Sequence, residues 1–266
     1  MIRNRTMVSK VWWALPFVLG IGLAACGGGG AGTGTTTTRG PITGFGSVFV
    51  NGIEFQTGAQ THRRMLDEGP GDAPGHDNEV FRVGMVVTVH HGPDDDNATE
   101  IEYEDNLEGP VESVNAVDNS FQALGQKVVY DNTTHFEFSG DATLSPGAIV
   151  EVSGLPDVNG VIHATYIEVM PAGSRTTFEI KGFLGGLPTA DNTFRLGPSS
   201  GVGTVTVDYM GAMMEDMPAG GLANGLFVEI ETNAPATGTF PNAVIRATKV
   251  DMENEIGQSG DHHSGS

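Results

Sequence analysis

Three stretches of the chain repeat one pattern, and this repetition restricts the fold more than any other feature. Each opens with a glycine and continues with alternating apolar residues: 84–89 (GMVVTV), 147–152 (GAIVEV) and 225–230 (GLFVEI). Each is followed by a matching partner: 98–103 (ATEIEY), 164–169 (ATYIEV) and 247–252 (ATKVDM). Upstream of each pair lies a short strand-like run, at 41–48, 107–114 and 178–184. Alternation with period two marks strands buried on one face, because successive side chains point to opposite sides. Val150 and Val152 thus share a face against Glu151, and Val228 and Ile230 share one against Glu229. Ile101 and Tyr103 likewise oppose Glu100, Glu102 and Glu104. The acids are expected on outward faces, where they keep strands soluble and apart.

Turn signals agree with this reading. Asn51-Gly52 is a strong hairpin signal, and Asp118-Asn119 and Asp191-Asn192 each precede a strand-like run. The 39 glycines suit many tight turns, and no helical periodicity of any length occurs. About five strands in each unit predict an all-β chain of tandem small OB-like Greek-key barrels or sandwiches. The units are read as 40–105, 106–172 and 173–254, with a disordered tail at 255–266.

The N-terminal region reads differently. Arg3, Arg5 and Lys10 precede an apolar run from Val11 to Leu23, which is the layout of a signal peptide over 1–25. That run is too short to span a bilayer as a helix, which takes roughly 20 apolar residues. It ends in Leu23-Ala24-Ala25-Cys26, and Cys26 is the single cysteine of the chain. Small residues before a cysteine suit lipoprotein processing, so Cys26 is the expected lipidation site. Residues 26–39 then form a Gly/Thr tether. With Gly27 after the cysteine, the expectation is export and anchoring in the outer membrane, facing the periplasm.

The full chain carries 13 Lys+Arg against 33 Asp+Glu, a formal charge of −20. Loss of the three leader cations takes −20 to −23. Nucleic acid is therefore excluded as a partner, since its binding depends on neutralising phosphates with Lys and Arg.

The run 42–55 (ITGFGSVFVNGIEF), with 121–129 (FQALGQKVV), 144–154 (LSPGAIVEVSG) and 164–168 (ATYIE), resembles a family of bacterial envelope lipoproteins. Those proteins are built from tandem copies of a domain of unknown function. The resemblance covers nearly all of 40–170 and, more loosely, 176–253. It implies an OB-like β fold and export, and brings no catalytic residues. The third unit departs from it by an insertion over 210–222.

Several groups of residues carry possible chemistry. His62, Asp72, His76, Asp77, His90 and His91, with Asp67, Glu68, Glu79 and 94–96 (DDD), could gather a metal ion. Carboxylates suit calcium, and imidazoles suit zinc or copper. Their spacing matches no standard site, and a solvated Gly/Pro-rich loop is the competing reading. Met210, Met213, Met214 and Met217 could hold copper(I) or simply pack. Asp157–Gly160 reads as a calcium turn or a hairpin turn, and His262-His263 as a weak ligand pair or plain tail.

No Gly-x-Ser-x-Gly elbow occurs and no second cysteine is present, so nucleophilic catalysis has no support. The expected function is a non-enzymatic envelope binding or adaptor module with no cofactor, meeting an envelope protein or glycan. The alternatives are a periplasmic metal-binding lipoprotein and, third, a carboxylate-based hydrolase.

Overall fold

The computed structural model describes residues 35–66, 73, 75–93, 95–187, 189–198 and 203–253. Cys26 and its leader, Asp67, Glu68, Asp72, Asp94 and the tail histidines lie outside the described residues. Among the described residues the chain is nearly all β, and its helix, α1 (Asp77–Val80), is four residues long. No helix there is long and apolar enough to cross a membrane.

The first third begins with β1 (Thr36–Phe45), β2 (Val48–Val50) and β3 (Ile53–Phe55), an antiparallel meander. Asn51 and Gly52 close its second hairpin with φ of 52° and 78°, the left-handed pair that a type I′ turn requires. β4 (His62–Met65) runs parallel to β6 (Ala98–Tyr103), and β5 (Val86–His91) lies antiparallel between β6 and β1. β1 starts inside the run read as tether: Thr36–Arg39 pair with His91–Thr88. Threonine is β-branched and fits a strand once a partner edge is on offer.

The same order of pairings recurs twice. β7 (Leu107–Asn115), β8 (Ser120–Ala123) and β9 (Gln126–Val129) form a second meander. β10 (His135–Phe138) runs parallel to β12 (Ile162–Met170), and β11 (Ile149–Pro156) lies between β12 and β7. Further on, β13 (Phe178–Gly185), β14 (Thr193–Gly197) and β15 (Val205–Asp208) form a third meander. β16 (Met213–Glu215) runs parallel to β19 (Lys249–Met252), while β17 (Phe227–Thr232) pairs with β13 and β19. β18 (Ala243–Arg246) lies parallel to β15.

The barrel part of the expectation is corrected. The pairings run from β7 through β8, β9, β12 and β11 back to β7, but the β9–β12 seam is only Ile162↔Val128 and His163↔Val129. So short a parallel seam leaves a rolled sheet rather than a closed barrel. The second and third thirds are also continuous, because Leu107 and Glu108 of β7 pair with Ile180 and Glu179 of β13. The result is a solenoid-like stack of sheets.

Burial follows the alternation. Val150, Val152, Ile167, Val169, Val228 and Ile230 are fully buried in one core that serves β7–β19. Each such side chain stabilises the fold by about 1.5–3 kcal/mol. The first third has its own core around Phe55, Phe81, Ile101 and Tyr103, to which Tyr166 of β12 is added. The two cores join where Ser153 Oγ accepts the Val86 N–H and Thr165 Oγ1 donates to the Gly84 carbonyl. Gly84 has φ of 94°, and a Cβ there would lie 2.3 Å from the Thr165 carbonyl oxygen.

The expected outward position fails for two acids. Glu104 and Glu229 are buried, as is Asp105. Alternation placed Glu229 opposite its apolar neighbours correctly, but the face it occupies is covered by other parts of the chain.

Candidate functional site: a cleft over a buried ion network

A cleft of about 550 Å³ opens where the three parts of the chain meet. Arg39 of β1 and Glu104–Asn106, the link from β6 to β7, line it on one side. The tip of the β11–β12 hairpin, from Leu155 to Gly160, lines another, and Lys181–Phe183 and Phe227 line a third. Apolar side chains form part of its walls: the rings of Phe183 and Phe227 lie 5.0 Å apart at 55°. Leu155 and Val158 stand exposed at the rim.

Asn106 fixes this geometry from the centre. Its N–H donates to Val152 O, its carbonyl accepts the Lys181 N–H, and its Oδ1 accepts the Gly154 N–H at 2.7 Å. A single residue thereby ties β11 to β13. Thr204 Oγ1 donates to Gln126 Oε1 in the interior, holding the start of β9 against the chain before β15.

The polar floor of the cleft is an ion network. Lys181 Nζ donates to Asp105 Oδ1 at 2.9 Å and lies 3.5 Å from Glu229 Oε2. The Lys181 and Asp105 side chains are only 2% and 3% exposed. Buried charges persist only when paired and hydrogen-bonded. Glu229 also faces Lys249, which lies 2.5 Å from Glu231, 3.4 Å from Asp251 and 3.6 Å from Glu215. Burial alone would lower the Lys249 pKa, but the surrounding carboxylates, Glu231 foremost, raise it overall.

One step along the same face runs a row of glutamates in cross-strand register: Glu137, Glu168, Glu151, Glu108, Glu179 and Glu231, ending at Lys249. Like charges directly opposite destabilise a sheet, so each needs a donor. Tyr166 Oη donates to Glu137, Ser139 Oγ to Glu168 and Tyr103 Oη to Glu151. Arg175 Nε donates to Glu108 at 2.6 Å, which raises the arginine pKa. With their carboxylates committed to these partners, the row and the network are arranged to hold strands in register. The cleft beside them offers both apolar and polar lining.

Comparison with known proteins bears on the middle of the chain. Residues 108–168 match the family model described as a domain of unknown function, DUF5666. That match spans β7 to β12. No curated protein matches the chain.

The structure scatters most of the residues singled out from the sequence as metal ligands. Asp77 is taken by Arg63 Nε at 2.5 Å and by Thr57. His76 caps α1, with its N–H donating to Glu79 Oε2. His91 meets Thr38 and the Gly92 carbonyl and packs on the Phe55 ring. His62 stands exposed on β4. His90 is the exception: its Nε2 donates to Glu102 Oε2 at 2.8 Å. Met213 and Met214 are exposed neighbours on β16 and so point to opposite faces. Met210 is exposed as well, whereas Met217 packs against the core. Asp157 Oδ1 accepts the N–H groups of Asn159 and Val161, as a hairpin-turn aspartate does.

Sequence reasoning missed Lys181 and Asp105. One signal was present: Lys181 is a lone cation inside the apolar run Phe178–Leu184 of an acid-rich chain. A lysine there demands a buried carboxylate, though nothing in the sequence says which.

Proposed function

We propose that the chain is a non-enzymatic lipoprotein of the cell envelope, anchored through Cys26, whose β units present the junctional cleft to an envelope protein or glycan. The single observation that carries the reading is the cleft itself: aromatic and aliphatic walls over a floor of neutralised charges. Ligand sites are concave and mostly apolar, with a few fixed polar groups. OB-like folds bind in part through the loop between their fourth and fifth strands, and with β10 counted as part of the connection after β9 the β11–β12 hairpin corresponds to that loop. The recurring pairing order supports reading 36–103, 107–170 and 178–252 as three copies of one domain. Export rests on the leader and on the small residues before Cys26.

Three experiments test this. A photocrosslinking side chain at Val158, which is 64% exposed at the cleft rim, is installed in intact cells. A stoichiometric adduct, absent when the probe sits at the remote Val117, supports the binding role. Turnover of an envelope substrate, abolished by one acidic substitution, would overturn the non-enzymatic reading. Separately, Cys26→Ser is expected to accumulate as an unlipidated precursor, and normal acylation of that variant would remove the anchor.

A further inference from the structure

We propose that His90, Glu100 and Glu102 form a site for a divalent transition metal of the zinc type, on the face of β5 and β6 away from the core. This goes beyond the cleft and does not rest on it. One ligand atom from each of the three residues lies within 4.8 Å of the others. The register explains why: His90 is directly opposite Glu100, and Thr88 directly opposite Glu102. Four side chains therefore project from one face of two paired strands, which holds them more rigidly than a loop would. β4 extends the array, setting His62 beside Glu100 and Arg64 beside Glu102.

A second observation points to a ligand. Thr88 is 1% exposed, and its Oγ1 has no hydrogen-bond partner among the described residues. A buried hydroxyl left unpaired costs about 1–3 kcal/mol, so the position calls for a group that is not a side chain. Thr88 sits across from Glu102 and two residues from His90, on the same face. A water carried by an ion at His90 and Glu102 would give its hydroxyl a partner.

The donor chemistry selects the ion. An imidazole with two carboxylates suits zinc and its neighbours rather than calcium or magnesium, which take oxygen alone. Binding forms a metal–nitrogen bond at His90 Nε2 and metal–oxygen bonds at the carboxylates. The proton that Nε2 now donates to Glu102 moves to Nδ1 in the neutral ring, or leaves to solvent from the imidazolium, so that Nε2 presents its lone pair to the metal. Arg64 Nε, 2.5 Å from Glu100 Oε1, is the built-in competitor. Its side chain is 43% exposed.

The test uses the full chain carrying His262→Ser and His263→Ser, so that tail imidazoles contribute nothing, stripped with chelator and titrated with zinc chloride by calorimetry. Cobalt(II) absorption serves as the coordination readout. One equivalent of zinc is expected. His90→Ala should weaken it by about 100-fold and Glu102→Gln by about tenfold or more. Arg64→Gln alters a half-exposed side chain and should tighten binding, since it removes the competitor. No zinc uptake, or uptake unchanged by His90→Ala, would overturn the proposal. Arg64→Gln binding no tighter than the parent would also count against it.

Discussion

Lys181 Nζ lies 2.9 Å from Asp105 Oδ1 with both side chains almost wholly buried, and this pair fastens the link after β6 to the middle of β13. The cleft floor therefore depends on an interaction between residues 76 positions apart. Removing Lys181 takes that cation from Asp105 and leaves Glu229 facing Lys249. Lys181→Met should destabilise the fold by about 3–5 kcal/mol, the usual cost of an uncompensated buried charge. Adding Asp105→Leu should restore much of that loss, because two apolar side chains need no partner. Urea denaturation of the two variants checks this, and equal midpoints for Lys181→Met and the parent would contradict it.

Gly84 bears on the joint between the first core and the second. Its φ of 94° and the 2.3 Å approach to the Thr165 carbonyl leave no place for a methyl group. Gly84→Ala should cost at least about 1–3 kcal/mol in backbone strain alone. It should also loosen the Thr165–Gly84 and Ser153–Val86 hydrogen bonds. Hydrogen exchange should show the Val86 amide losing protection while Val150 and Val152 keep theirs. Uniform loss across both cores would instead mean that the joint is not a separable element.

The elements that were legible share one property: local sequence decides them. Asn51-Gly52 prescribes a hairpin because only the left-handed region closes it, and Glu151 between Val150 and Val152 prescribes a strand with one wet face. What alternation cannot say is whether that outward face is later covered. Glu104 and Glu229 hold the positions their period gives them, yet chain packing buries both. The threonines before Arg39 have a composition that fits a tether, and become strand only because β5 offers an edge. The cleft draws on residues from Arg39 to Phe227, a separation over which no local pattern extends. The His90 cluster was half visible, since its histidine stood out while Glu100 and Glu102 looked like solubilising acids.

Glu112 provides a pH test. Burial raises its pKa above 4.5, against the opposing effect of backbone N–H groups from Gly125 and Ala236. A carboxyl whose folded pKa is raised contributes stability that is full below 4.5 and lost as pH rises through the folded value. Glu112→Gln lacks this titration. Thermal melts taken from about pH 4 to about pH 7 should therefore show the parent losing ground to the variant as pH rises. Parallel curves would mean that Glu112 does not titrate differently on folding.

The bond from Tyr103 Oη to Glu151 Oε1, at 2.5 Å, links the first core to the glutamate row. Glu151 has Glu108 on one side and Glu168 on the other, so this phenol offsets repulsion as well as supplying a hydrogen bond. Tyr103→Phe keeps the buried ring and deletes only the donor. The expected cost is about 1.5–3 kcal/mol, the range for a hydrogen bond to a charged group. It should shrink between low salt and about 1 M, where charges are screened within roughly 3 Å. Glu151→Gln alone should cost less, since it removes a charge from a crowded row. In the Tyr103→Phe, Glu151→Gln double variant the loss should fall well short of the sum. Strict additivity, or a cost insensitive to salt, would show that the phenol is packing rather than holding the row in register. Because β6 leads directly into the Glu104–Asn106 link, loosening this bond should also weaken adduct formation at Val158, which ties the row's register to the cleft it flanks.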